Sequence, residues 1–414
     1  MRILYVDHYA GSISLGMEFR PYYMAREWEK LGHTVRLVGA DYSHLRIQQP
    51  TAEKDFTVED IDGVEFQCIK TIKYNGNGSR RAISIFQFVG KLWMAAGKIA
   101  REFKPDVVIS SSTYPLDAYA CYRIAKKAKA KYIHEAHDMW PATLTEMGDM
   151  SEKHPFIRVM AKAEKYAYSR PEKVISILPA TLQHMLDHDL SDPEKFAYIP
   201  NGIVPEDWDE PETLDEGCQA EFDKLEGKFI IGYLGGHALT NALDTFIDAA
   251  IRMKNTPDVV FVSVGKGVEK QRLMDRAKQE GLTNIVFLPP VRKKQVPTAL
   301  NRMNALYIGA ANSPLYRFGI SMNKLYDYMM AGKPIIYGIS AANNEVKEAD
   351  CGISIKPEST EELVDAIKWL QKMDPEELER MGSNGKSWVL ANRKYKTLAE
   401  QFLKEMGDEN NHIS

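Results

Sequence analysis

Short apolar runs alternate with longer stretches of helical period along almost all of this chain, and the series runs once and then starts again. The runs "RILYVDH", "TVRLVGA", "VEFQCIK", "DVVISS", "KYIHEA" and "KVISIL" are rich in β-branched and aromatic residues and bounded by turn residues, so they read as strands. Between most of them lie amphipathic helical patterns. Strand and helix in alternation give a parallel α/β sheet. A stretch rich in Pro, Gly and acids, "YIPNGIVPEDWDEPETLDE" at 198–216, reads as a linker. A second series follows it: "KFIIGYLG", "VVFVSVGKG", "NIVFLPP", "ALYIGA", "PIIYGI" and "GISIK". Two doubly wound domains in tandem are therefore expected, 1–203 and 204–385. A helical tail, 386–414, crosses back towards the first domain, with Trp388, Leu390, Tyr395, Leu398 and Phe402 marking it as docked. A chain of 414 residues at 44% hydrophobic and 27% charged is long enough to give each domain a full core.

Charge narrows the function. Lys and Arg number 53 against 57 Asp and Glu, a balance that excludes wholesale nucleic-acid binding and makes any anion site local. Cys68, Cys121, Cys218 and Cys351 are far apart and lack a CxxC pair or His-rich company, which suits a reduced compartment and argues against a zinc or disulfide framework. The opening "MRILYVDHYAG" has no charged-then-apolar leader, so neither signal peptide nor spanning helix is expected, and the reading is cytoplasmic.

Open α/β sheets bind ligands beyond the carboxyl ends of their strands, which directs attention to "FGISMNKLYDYMMAGKPII", 318–336. Strand "ALYIGA" leads into it, and Ser321 is placed to cap a helix starting near Met322. The unpaired amides there, the helix dipole and the Lys324 ammonium suit a phosphate. Asp327 lies about 9 Å further along the axis at 1.5 Å per residue, a reach suited to a ribose diol. An ordinary N-cap, a solvated Lys and a dipole-facing Asp are the alternative.

This segment resembles the donor-nucleotide motif of the family 4, or group 1, glycosyltransferases. "SMNKLYDYMMAGKP" is similar to their "SxKLFEYMAAGKP" form, with Asp327 where the family's second Glu sits and Gly319 where the first would be. The likeness extends over nearly the whole chain. "HYAGSISLGMEFRPYYMAREWEKLGHTV" resembles the first-strand loop and helix of a bacterial subgroup making O-antigen and capsule sugars, and "IPNGI" the hinge. "GYLGGHALTNALDTFIDAA", "SVGKGVEKQRL", "NIVFLPPVRKKQVPTAL" and "EADCGISIKPESTEELVDAI" fall in the family's order.

The resemblance implies a GT-B fold, two Rossmann-like domains facing across a cleft, and retaining sugar transfer. A nucleotide sugar, expected to be a UDP-sugar, is then a co-substrate, with no cofactor and no metal. Gly319, Ile320, Ser321, Met322, Asn323 and Lys324 would surround the diphosphate and Asp327 the ribose. Gly235, Gly236, His237 and Asn241 form the second loop near the phosphates. The family's "KG" pair is missing from that loop, and either Lys266 or Arg292 is a candidate to replace it. In the first domain the loop holding Gly11 and Gly16 is assigned to the acceptor, with Glu18 and Arg20 at the mouth of the next helix meeting the acceptor or the donor phosphates; a plain helix-start salt bridge is their alternative. His137 and Asp138, in "HEAHDMWP", stand where the family puts a His or basic residue by the donor sugar. His134 is the core alternative.

The implied mechanism is same-face displacement, in which the leaving phosphate takes the acceptor proton, so the protein's work is orientation and charge stabilisation. The subgroup implies an N-acetylated hexosamine, or its 6-deoxy form, passed to a saccharide on undecaprenyl diphosphate. The stretch 79–104 mixes Arg80, Arg81, Lys91, Lys98, Arg101 and Lys104 with Phe86, Phe88, Leu92, Trp93 and Met94. It suits either peripheral contact with the inner membrane or plain packing on the sheet. Rival readings are a GT-B nucleotide-sugar epimerase and a two-domain binding protein. A dinucleotide oxidoreductase lacks its GxGxxG turn.

Overall fold

The computed structural model describes residues 1–76 and 78–408. It comprises two compact units, the first formed by 1–201, 317–321 and the chain from 395, the second by 202–316 and 322–394. The first unit holds, in chain order, β1 (Arg2–Val6), α1 (Arg20–Lys30), β2 (Thr34–Ala40), β3 (Thr57–Ile61), β4 (Val64–Ile69), α2 (Ser79–Glu102) and β5 (Val107–Ser110). It continues with α3 (Ala118–Ala128), β6 (Lys131–Ala136), α4 (Ala142–Glu146), α5 (Pro155–Ser169), β7 (Lys173–Ser176), α6 (Leu182–Asp187) and β8 (Phe196–Tyr198). Its sheet runs β3-β4-β2-β1-β5-β6-β7-β8.

The second unit holds α7 (Glu216–Asp223), β9 (Phe229–Leu234), α8 (Asp244–Arg252), β10 (Val259–Val264), α9 (Lys270–Gln279), β11 (Ile285–Leu288) and α10 (Val296–Asn301). After these come β12 (Ala305–Gly309), α11 (Asn323–Met330), β13 (Ile335–Gly338), α12 (Glu345–Glu348), β14 (Gly352–Ser354), α13 (Thr360–Lys372) and α14 (Pro375–Asn392). Its sheet, β11-β10-β9-β12-β13-β14, is parallel throughout. Each sheet is doubly wound, because the chain leaves its first strand in one direction and later returns to build in the other. The order reverses between β1 and β5 in the first unit and between β9 and β12 in the second, and those switch points are where such sheets open a crevice.

Two strands went unread in the sequence. β3 pairs antiparallel with β4 across the two-residue turn Asp62-Gly63, both with positive φ, which is the Asp-Gly hairpin signal. β8 is a three-residue edge strand on β7. The first sheet is therefore mixed at its rim.

The core of the first unit gathers Leu4, Val6, Phe88, Leu92, Val108 and Ile124, and that of the second Ile231, Phe246, Phe261, Tyr307 and Ile367. All four cysteines are buried and free. In α2, Phe88 and Leu92 belong to the core, so they leave the apolar face once assigned to a membrane. Lys91 binds Asp55 and the Lys70 carbonyl, and Trp93 lies under Arg123. Ile83, Phe86 and Met94 stay exposed. No described helix is long and apolar enough to cross a membrane.

The boundaries differ from those expected. The chain changes unit at 201/202 and at 394/395, and α15 (Tyr395–Glu405) is what returns. Its seat is α1: Trp28 donates its indole N–H to the Ala399 carbonyl at 3.1 Å and meets the Phe402 ring edge-on. A buried indole needs such a partner. By contrast α14, including 386–392, stays with the second unit because it packs on α11. The contact is close: a Cβ on Gly382 would lie 1.9 Å from the Gly332 carbonyl oxygen. Gly382→Ala is therefore expected to lift α14 from the turn after α11 and cost roughly 1–3 kcal/mol, read as a lower urea midpoint; an unchanged midpoint would show that the contact is dispensable.

Candidate functional site

At the switch point of the second unit the loop after β9 and the segment after β12 are tied together by the Ala311 amide, which donates to the Thr240 carbonyl at 3.0 Å. Below them lies α11. Its N-cap, Met322, offers no side-chain cap, and the first amide of this turn bonded to a backbone carbonyl is that of Leu325. Ser321, expected as the cap, is instead an acceptor within the first unit. Its Oγ takes the Asn201 amide and its carbonyl the Asn201 side chain, both at 2.8 Å. The helix start is left open.

Lys324 extends from that start to the loop after β9, where its Nζ bonds Asn241 Oδ1 and lies 3.3 Å from the Tyr233 hydroxyl. Asn241 in turn donates to the Gly236 carbonyl at 2.9 Å, as does Tyr233 at 2.6 Å. Gly235 completes the contact, its Cα facing the Lys324 stem. Among the described residues no carboxylate pairs with this ammonium. Burial alone pushes its pKa down to about 7. A desolvated cation without a counter-ion, beside free helix amides, is a receptor for an anion.

The other expected donor residues fall on both sides of this outcome. Asp327 is largely buried and holds Lys293 through both oxygens, at 2.7 and 2.9 Å. Lys293 was not singled out in the sequence; its neighbour Arg292 was, and Arg292 turns to solvent to pair with Glu212 and Asp215. That corrects Arg292 as a replacement cation. Lys266 is exposed, and its carbonyl serves the His237 amide. His237 does not reach the crevice: its side chain is buried against Ser263 Oγ at 2.7 Å, and burial, reinforced by Lys270, takes its pKa down to about 4. It is a neutral strut beneath the loop. Gly319 and Ile320 are buried in the first unit, where Phe318 accepts the Ala180 amide and Arg317 pairs with Glu146. Asn323 and Met322 lie half-buried at the helix start.

The switch point of the first unit carries a second polar cluster. The loop after β1 is bound to the end of β5 by the His8 amide, which donates to Ser112 Oγ at 3.0 Å. Glu135, on β6, is fully buried and collects five donors. Arg20 supplies Nε at 2.9 Å and Nη2 at 2.8 Å to one oxygen, and the Tyr5 and Ser111 hydroxyls and His137 Nε2 reach the other. Burial raises a carboxyl's pKa, but here Arg20 and then His137 hold Glu135 well below the usual range. Burial acts to lower the His137 pKa, but the charge of Glu135 and the hydrogen bond to it together raise it. Burial pushes Asp7 up to about 7 and raises Glu18 as well, and both feel the His137 charge.

Arg20 therefore does not face an acceptor. It is wholly buried, with its remaining N–H groups on the Ile199 and Pro200 carbonyls. Asp138 is likewise engaged locally, accepting from the Met139 amide, the Trp140 indole and the Thr143 hydroxyl. His134 is core, bonded to Ser110, with its pKa lowered to about 3 by burial. Gly11 and Gly16 bracket a closed loop: the Gly11 amide donates to the Glu18 carbonyl at 2.7 Å, and Gly16 and Ser12 exchange amide bonds. His137 and Glu18 are thus the expected residues that the first unit brings together, with Asp7 and Glu135 added to them by the structure.

Residues 16–202 match the family model of the Glycosyl transferase 4-like domain, and residues 219–388 that of Glycosyl transferases group 1. The putative colanic acid biosynthesis glycosyl transferase WcaI of Escherichia coli (strain K12) is 23% identical over 357 residues, 81% of this chain and 84% of its own length. Sucrose-phosphate synthase from Thermosynechococcus elongatus has a similar structure at a TM-score of 0.74 and 14% identity, covering 98% of each chain. HepE of Anabaena, in complex with UDP and glucose, is similar at a TM-score of 0.67 and 14% identity, covering 99% of this chain and 100% of its own.

Removing Arg20 tests the first cluster. Arg20→Met leaves Glu135 buried with His137 as its one basic neighbour among its described partners and is expected to destabilise by about 3–5 kcal/mol, whereas the double variant Arg20→Met with Glu135→Met recovers much of the loss. Urea unfolding measures both; a loss under about 1 kcal/mol in the single variant would contradict the buried pairing.

Proposed function

Since this chain belongs to the family 4, group 1 glycosyltransferases, we propose that it transfers an N-acetylated hexosamine, or a 6-deoxy form of one, from a UDP-sugar. The acceptor in this reading is a saccharide on undecaprenyl diphosphate, and the product enters a cell-surface polysaccharide. The observation that carries the donor half is Lys324, a half-buried, desolvated ammonium with no carboxylate among the described residues, set at an uncapped helix start on the switch point of a parallel sheet. The UDP and UDP-glucose complexes of the structurally similar HepE support a uridine donor. The name of the WcaI relative supports polysaccharide synthesis.

In this reading the diphosphate sits against the α11 amides and Lys324, with Asn241 and the backbone of Gly235 and Gly236 along its other side. Charge grows on the diphosphate as the glycosidic bond breaks, so contacts that strengthen with that charge lower the barrier. Lys324 gains most, because its proton is loosely held until the anion arrives. The α11 amides and Lys324 supply the positive charge at the leaving group, and the transfer is proposed to need no divalent metal there. Asp327 receives the ribose hydroxyls, with Lys293 holding its carboxylate in place. Transfer with retention needs no protein nucleophile: the acceptor hydroxyl gives its proton to the departing phosphate on the same face. His137, whose pKa Glu135 raises, is assigned to the hydroxyls of the donor sugar. Glu18 and the Gly11–Gly16 loop are assigned to the acceptor. A cytoplasmic enzyme meeting its lipid-linked acceptor would use Ile83, Phe86 and Met94 on α2 for peripheral membrane contact.

The Lys324 shift fixes the sign of a pH effect. Without ligand the ammonium loses its proton as pH rises through about 7, and a bound diphosphate restores it, so binding takes up a proton above that pH. Affinity for UDP is expected to fall by roughly tenfold per unit between pH 7.5 and 9.5, and the slope to vanish in Lys324→Met. Titration calorimetry at several pH values measures it; a flat wild-type profile, or the same slope in the variant, would remove Lys324 from the diphosphate site.

A further inference from the structure

A carboxylate and two imidazoles, none of them among the residues assigned above, meet between α5 and α6. Glu164 is buried, 2% exposed at its side chain, and no Lys or Arg pairs with it among the described residues. His184 Nε2 lies 2.8 Å from one of its oxygens, and His188 Nε2 4.0 Å from the other. The Tyr168 hydroxyl is its remaining partner, at 3.4 Å. One ligand atom from each of the three residues falls within 4.8 Å of the others.

Three features of this cluster point to a cation. The histidines are four apart, so one helical turn stacks their rings, with centroids 4.0 Å apart, and aims them the same way. His188 Nδ1 lies 2.7 Å from the His184 carbonyl, a contact that fixes the proton on Nδ1 and leaves the Nε2 lone pair directed at the cluster. Finally, the buried carboxylate has only imidazoles and a hydroxyl beside it, with no permanent cation among the described residues. The 2.8 and 4.0 Å separations lie on either side of the about 3.4 Å between ligand atoms of a tetrahedral ion with bonds of about 2.0–2.1 Å.

We propose that Glu164, His184 and His188 form a binding site for a divalent transition-metal ion of the zinc class. Two imidazole nitrogens and one carboxylate oxygen suit Zn²⁺, with water in the fourth position, and do not suit Ca²⁺ or Mg²⁺, which take oxygen ligands. The ion clamps α6 to α5. Because the His184 ring meets Phe318 edge-on at 5.1 Å, it also stiffens the seat of the 317–321 segment. The site shares no residue with the proposed diphosphate receptor, so it stands or falls separately from the donor reading.

The full-length protein, stripped with chelator, is titrated with ZnCl₂ alone, and with Co²⁺ as a spectroscopic reporter. One equivalent bound per chain, a higher thermal midpoint, and visible Co²⁺ absorption typical of low coordination number are expected. His184→Ala and His188→Ala should each weaken binding by more than the roughly 10–100-fold that loss of a ligand's supporting partner costs, while the metal-free midpoint of His188→Ala stays near wild type. Absence of a bound equivalent in the wild type, or equal uptake by His188→Ala, would overturn the site. The His188 ring is a third exposed, so that variant decides the matter even where His184→Ala folds poorly.

Discussion

Burying a carboxylate is costly unless donors surround it, and the first unit is organised around one that is surrounded. Glu135 takes hydrogen bonds from β1 through Tyr5, from α1 through Arg20, from the end of β5 through Ser111, and from the loop after its own strand through His137. Arg20 then uses what remains of its guanidinium on the carbonyls of Ile199 and Pro200, at the end of the first unit's main segment. One ion pair thus fixes the mouths of three strands, the start of a helix and the point where the chain leaves the unit. It also raises the pKa of His137. The donor-sugar role assigned to that histidine depends on a structural pair with no solvent access.

The second unit reverses this logic. There the half-buried charge, Lys324, has no carboxylate partner among the described residues, and the neutral groups around it, Asn241 and Tyr233, position it without neutralising it. Such an arrangement is destabilising by itself, because the neutral contacts to Asn241 and Tyr233 offset only part of the ammonium's desolvation. It becomes favourable only when an anion binds. The stability given up in the empty protein is recovered in the complex, which is how a preorganised site gains affinity and, when charge grows during reaction, rate.

Much of this was legible from residue order. The parallel strands, the restart after the linker and the polar helix start at 321–324 follow from periodicity and turn chemistry, because those signals are local. What escaped needed contacts between distant residues. Glu135 sits in "KYIHEA" as an acid in an apolar strand, a signal that something basic must meet it, but nothing local says that Arg20, over a hundred positions away, is that residue. Arg20 accordingly read as a cation at a helix mouth, facing the acceptor. In "VRKK" three consecutive cations look alike, and only the short helical turn at Lys293–Gln295 turns Lys293 to Asp327 and Arg292 to solvent. Ser321 read as a helix cap because its spacing suits one; its partner, Asn201, lies in the other conspicuous motif, "IPNGI". The Asp62-Gly63 hairpin was readable and went unread, since the strands on either side are short.

The most direct test is thermal stabilisation of the purified protein by UDP, GDP, ADP, CMP and NAD in parallel. At about a hundred times its dissociation constant a ligand stabilises by roughly 2.7 kcal/mol, a shift that is easily read. A response to UDP that disappears in Lys324→Ala and weakens in Asp327→Ala is the predicted result. No response to any nucleotide, or a UDP response undiminished in Lys324→Ala, would contradict a diphosphate receptor built on that lysine.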